Sequence, residues 1–140
     1  MLLSQGFKNG PRTDDLLKEE KIAAIDKIHK MIRNGTLGED YTIANRDKNR
    51  QLRRDYCIDD NKIKEILLGL KYGNLIKVEK SNNEAHLQDV VFVFKKEILL
   101  LPRWRENASY KSVKLYIKIT WPDECDGEVM FIISFHEDDI

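Results

Sequence analysis

Apolar and polar residues alternate most strictly near the C-terminus. Val113, Leu115, Ile117 and Ile119 occupy every second position, with Lys114, Tyr116, Lys118 and Thr120 between them. A period of two puts the aliphatic set on one face of a strand and leaves two lysines flanking a tyrosine on the other. Val129 to His136 is apolar at both parities until Ser134 and His136, the pattern of an inner strand. Between the arms, Pro122-Asp123 and Asp126-Gly127 are turn chemistry, so the two arms predict a β-hairpin. A hairpin alone is marginal in water, and its aliphatic face needs a cover.

Upstream the period changes to that of helices. From Asp15, with Thr13 or Asp14 as cap, Ile22, Ile25, His29 and Ile32 form a stripe widened by Ala24, Ile28 and Met31. Asn34-Gly35 is expected to end this helix in the left-handed conformation. His29, inside the stripe, reads as a packed histidine rather than a catalytic one. Residues 45–54 are polar except Leu52, which predicts a wet surface helix whose five basic residues are within reach of phosphate. Asp59-Asp60-Asn61 then offers a cap, and Ile63, Ile66, Leu67 and Leu70 predict a core-facing helix that Gly73 ends.

Three further apolar pieces follow. Leu75 to Lys80 predicts a short strand with Ile76 and Val78 on one side, His86 to Lys95 a strand centred on Val90–Phe94, and Ile98 to Leu101 a piece that halts at Pro102. Helices first and about four consecutive strands after them predict an α+β fold. Its antiparallel sheet carries two to three N-terminal helices on one face, in a single domain over residues 1–140 with 1–13 as a loosely ordered lead-in.

Charge adds a direction. Lysine plus arginine equals aspartate plus glutamate, 24 each, but the charges are segregated. Lys95 to Lys118 holds seven basic residues against two acidic ones, and Asp123 to Ile140 holds seven acids and no lysine or arginine. A basic band beside an acidic tail is compatible with an anionic ligand on one face. Cys57 and Cys125 are the only cysteines and show no metal-ligand spacing, so the expectation is a reduced, cytoplasmic protein without metal or cofactor. No apolar run reaches the length that spans a bilayer, so no membrane association is expected.

No phosphate-binding glycine loop, nucleophile elbow or zinc-protease signature occurs. What remains is a set of polar residues on predicted strands: Lys77, Gln88, Lys114, Tyr116, Lys118 and His136. Such a set suits cleavage of RNA, in which the 2′-hydroxyl is the nucleophile. The protein must take its proton, stabilise charge on phosphorus and protonate the leaving 5′-oxygen. His136 suits proton transfer near neutrality. Tyr116 can donate a proton or stack on a base, and Lys77, Lys114, Lys118, Arg103 and Arg105 can hold phosphate.

Four pieces, in order, also resemble one family: Leu68-Gly69-Leu70 leading to Leu75-Ile76-Lys77; Leu87-Gln88-Asp89-Val90; Leu115 to Thr120; and Met130 to Glu137. With the Ile28 to Gly35 helix end they are similar to the MqsR-like toxins (motility quorum-sensing regulator) of the RelE-like mRNA interferase superfamily, over most of Asp26 to Glu137. The resemblance implies a type II toxin–antitoxin system: a RelE-like sheet, metal-independent endoribonuclease activity on mRNA, and a cognate antitoxin. It implies functional roles for Lys77, Gln88 and Tyr116, with His136 standing where the family has a C-terminal lysine. The alternatives are a non-catalytic protein- or nucleic-acid-binding module on the same fold, and a same-fold toxin acting on a protein target such as gyrase.

Overall fold

The computed structural model describes residues 16–80, 90–122 and 128–138. In chain order the described elements are helix α1 (Lys18–Asn34), strand β1 (Tyr41–Ile43), helices α2 (Asp47–Asp55) and α3 (Asp60–Leu68), and strands β2 (Leu75–Lys80), β3 (Val90–Leu100), β4 (Lys111–Thr120) and β5 (Met130–Glu137). The fold is α+β, with a five-stranded sheet in the order β1-β5-β4-β3-β2. From β2 to β5 each strand pairs antiparallel with the next, as expected. The fifth strand, β1, was not expected: it pairs parallel with β5 and makes the sheet mixed.

The alternation of β4 does what its period requires. Val113, Leu115, Ile117 and Ile119 are buried, and together with Phe92, Phe94 and Phe135 they join one core with Ala24, Ile25, Ile28 and Ile32 of α1 and Ile63, Ile66 and Leu67 of α3. That aliphatic face is the main source of stability, because each buried side chain of this size contributes about 1.5–3 kcal/mol. Trp121 closes one end of the core. Its Nε1–H donates to Met31 Sδ at 2.9 Å, its ring meets Phe92 edge-on at 5.9 Å, and Lys27 Nζ lies 4.7 Å from its centroid. Burial there pulls the Lys27 ammonium below its ordinary pKa.

Local chemistry corrects several boundaries. Helix α1 starts at Lys18, and Glu20 accepts the Leu17 N–H at 3.0 Å; Thr13, Asp14 and Asp15 lie outside the described residues. Gly35 ends α1 in an extended conformation, φ −109° and ψ 176°, rather than a left-handed one. A Cβ there would sit 2.5 Å from the Met31 carbonyl and 2.7 Å from Asp40 Cβ, so glycine is required by close approach. The left-handed residue is Gly38, at φ 97°. His29 is packed as expected, Nε2 donating to the Leu70 carbonyl at 2.9 Å. Asp59 caps α3 through the Lys62 N–H at 2.8 Å, but Gly69, not Gly73, ends that helix.

Two strand expectations also change. The piece Ile98 to Leu101 is mostly the far end of β3, which runs unbroken to Leu100. In β2 the register shifts between Leu75 and Lys77, leaving Ile76 exposed while Val78 is buried. A bulge inserts one residue and reverses parity, so these two side chains do not share a side. Among the described residues no helix is long and apolar enough to cross a membrane.

Helix α2 is less wet than its sequence suggests. Besides Leu52 it buries Asn49, which is 0% exposed. The Asn49 amide donates to the carbonyls of Ala44 (2.9 Å) and Ile133 (3.1 Å) and accepts the Phe135 N–H at 2.8 Å. Beyond the end of β1, the outer edge of β5 would otherwise bury unpaired backbone groups, which is costly. One side-chain amide therefore replaces a stretch of neighbouring strand and holds β5 in place.

Candidate functional site

The face of the sheet opposite the core carries polar residues of β2, β3, β4 and β5, with Val91 and Val93 of β3 buried among them. Register sets its rows. Lys95 on β3 pairs with Tyr116 on β4, and Tyr116 pairs with His136 on β5, giving one continuous row across three strands. The next row is Val93, Lys118 and Ser134, with Lys77 of β2 beside Val93. On the other side of Tyr116, Lys114 pairs with Glu97. Four expected residues, Lys77, Lys118, Tyr116 and His136, are thus near neighbours, and Lys114 lies one step along the same face.

At the centre the rings of Tyr116 and His136 are 5.4 Å apart at 30°, a tilted stack. Lys118 Nζ lies 5.7 Å from the Tyr116 centroid, within cation–π range, where the ammonium is attracted to the face of the ring. His136 Nδ1 is 2.8 Å from the Glu137 carbonyl. A carbonyl only accepts, so Nδ1 carries the proton and the neutral ring keeps its lone pair on Nε2. Both rings are partly exposed, so a ligand can reach them.

Glu79 also belongs to this site. Its carboxylate bridges Lys118 at 3.0 Å and Lys77 at 3.3 Å. Burial pushes the Glu79 carboxyl up, but the hydrogen bonds and charges of Lys118 and Lys77 outweigh it and hold the group below the usual carboxylate range. The effect is to hold two ammonium groups close together beside the ring pair. The signal was available: Lys77 and Glu79 share strand parity after the bulge. A second pair, Lys95 to Asp138 at 3.1 Å, borders the other side of Tyr116. There a cleft of about 370 Å³ is lined by Lys95, Lys96, Glu97, Lys114 and Asp138.

The remaining expected residues fall elsewhere. Gln88 lies outside the described residues. Arg103 follows the end of β3, and its guanidinium donates to the carbonyls of Arg53 (3.2 Å) and Tyr56 (3.1 Å) at the C-terminal end of α2. It braces a loop there and neutralises the negative end of a helix. Arg105 is exposed on the same connection. Among the described residues no three His, Cys, Asp or Glu side chains converge as metal ligands would.

Chemically, the arrangement offers an imidazole acceptor, a phenol donor and two paired cations around one exposed spot. No family model, curated protein or solved structure matches the chain.

Proposed function

We propose that this open face is the catalytic surface of a metal-independent endoribonuclease. The chain is read as an MqsR-like type II toxin of the RelE-like mRNA interferase superfamily, acting on mRNA in the cytoplasm and neutralised by a cognate antitoxin. The observation that carries the reading is the Tyr116–His136 stack at 5.4 Å, with Lys118 against the tyrosine ring. An imidazole acceptor beside phenol and ammonium is what attack by a 2′-hydroxyl on its own phosphodiester requires.

His136 Nε2 takes the 2′-hydroxyl proton, and the 2′-oxygen attacks phosphorus. Lys118 and Lys77 offset the charge that builds on the phosphoryl oxygens. As the bond from phosphorus to the 5′-oxygen breaks, Tyr116 donates its proton to the leaving oxygen, and proton return from imidazolium to phenolate resets the site. Gln88 is assigned the positioning role that the family resemblance implies. The products are a 2′,3′-cyclic phosphate and a 5′-hydroxyl, with no co-reactant.

Purified protein incubated with RNA in excess chelator should give these two ends. Products with 5′-phosphates, or activity that disappears on chelation, would refute the mechanism. A second reading, a non-catalytic RNA- or protein-binding module, draws support from the ion pairs of Lys77, Lys118 and Lys95 with carboxylates, which lower the face's net positive charge. It predicts binding with no turnover.

A further inference from the structure

A second concentration of chemistry lies beyond the far end of β3 and β4. The connection between these strands carries Trp104, which is 85% exposed. The ring is exposed yet held. Its Nε1–H donates to the Arg54 carbonyl at 3.0 Å, the Arg103 N–H donates to the Asp55 carbonyl at 2.8 Å, and the Cys57 N–H donates to the Leu101 carbonyl at 2.8 Å. With the two bonds from the Arg103 guanidinium these fix the loop on the end of α2. An indole pinned by its edge presents a face without the entropy loss of ordering a free side chain.

Trp104 lines a cleft of about 370 Å³ with Arg105, Lys111 and Asp55 among its neighbours. Neither Arg105 nor Lys111 has an ion-pair partner among the described residues, whereas the Asp55 carboxylate accepts from Gln51 Nε2 at 3.1 Å. Tyr110, 65% exposed, precedes β4 directly and shares the parity of Lys114 and Tyr116.

We infer that this cleft is a docking subsite for single-stranded RNA, in which a base stacks on Trp104 and Arg105 and Lys111 hold the adjoining phosphates. The inference rests on the reading of the chain as a protein that acts on RNA. Stacking on an aromatic ring within a cationic groove is how unpaired strands are held with little regard to sequence. Charge favours an anionic strand: Arg105 and Lys111 are exposed beside the ring and outnumber the one carboxylate of the cleft, Asp55. From Lys111 to Tyr116 is five residues of β4, or about 17 Å at the rise of an extended strand. Lys111 has the parity of Val113 rather than of Tyr116, so an RNA strand that reaches both places turns over the end of the sheet between them.

The test uses the whole chain and a short 2′-O-methyl RNA, which cannot attack its own phosphate. Binding is followed by anisotropy of a label on the RNA and by tryptophan fluorescence, with buried Trp121 as the internal reference. RNA should quench Trp104, Trp104→Ala should weaken binding roughly tenfold or more, and Trp104→Phe should retain most of the affinity. On cleavable RNA, Trp104→Ala should raise KM and leave kcat unchanged. Equal RNA affinity for Trp104→Ala and the native chain overturns the subsite; if cleavage persists, the nuclease reading survives. Weakened binding by Trp104→Ala in a chain that cleaves nothing supports the subsite and removes the nuclease reading. Absence of RNA binding by the native chain removes both.

Discussion

The two faces of β4 differ by one residue in sequence and by everything in environment. On one side Val113, Leu115, Ile117 and Ile119 are at most 1% exposed and packed beneath α1 and α3. On the other, Lys114, Tyr116 and Lys118 meet water and the polar residues of β3 and β5. The core face fixes where the strand lies, and the open face inherits that precision without contributing much to stability. Substitutions on the two faces should therefore separate cleanly into losses of folding and losses of chemistry.

The largest effect on stability is expected from the core. Phe94→Ala, on the face of β3 that packs with Ile117, should cost about 3–5 kcal/mol in a denaturant titration. Tyr116→Phe, across the same strand pair, should stay within about 0.5 kcal/mol. Similar losses for both would erase the distinction between faces. Next comes Asn49→Ala, which strands the Ile133 carbonyl and the Phe135 N–H at the edge of β5. We expect a loss of about 1–3 kcal/mol and faster amide exchange at Phe135, although α2 reads as a surface helix.

A change of opposite sign sharpens the comparison further. The Tyr41 hydroxyl is buried without a hydrogen-bond partner among the described residues. Its burial, then the charges of Asp60 and Asp40, raise the pKa of the phenol, so it stays protonated at neutral pH. Tyr41→Phe removes an unsatisfied group and should stabilise the fold by about 1 kcal/mol.

The smallest effect is a pH dependence on the open face. The folded-state pKa of Glu79 lies below its ordinary value of 4.5, so its contribution is present above that value and is lost as pH falls through the folded pKa. Glu79→Gln should therefore flatten the acid limb of the stability profile below about pH 4.5 and leave the neutral region nearly unchanged. A steeper acid limb in the variant would contradict the ion pairs to Lys118 and Lys77.

Much of this arrangement was legible from period alone. Strict alternation fixed β4, its partner β5 and the shared side of Lys114, Tyr116 and Lys118, because side-chain direction in a strand is a matter of parity. Where parity is broken, the reading fails: the bulge at Ile76 turned an apolar side chain outward, and no propensity marks a bulge. Strand β1 was missed because three residues carry no period, and its pairing with β5 joins Tyr41 to Met130 across most of the chain. Asn49 was hidden in a polar run, since a buried amide and a wet one look alike until the backbone groups it serves are known. The role of Glu79 is only half visible in the sequence, because its carboxylate joins two lysines on different strands.

The account depends most on Tyr116 and His136 acting as one unit on RNA. The direct measurement is single-turnover cleavage in chelator by the native chain, by Tyr116→Phe, by His136→Ala and by the double variant. Each single change should slow cleavage by roughly 10²–10⁴-fold, and the double variant should be little slower than the worse single one. Wild-type cleavage by His136→Ala, or independent additive losses from the two changes, would contradict it.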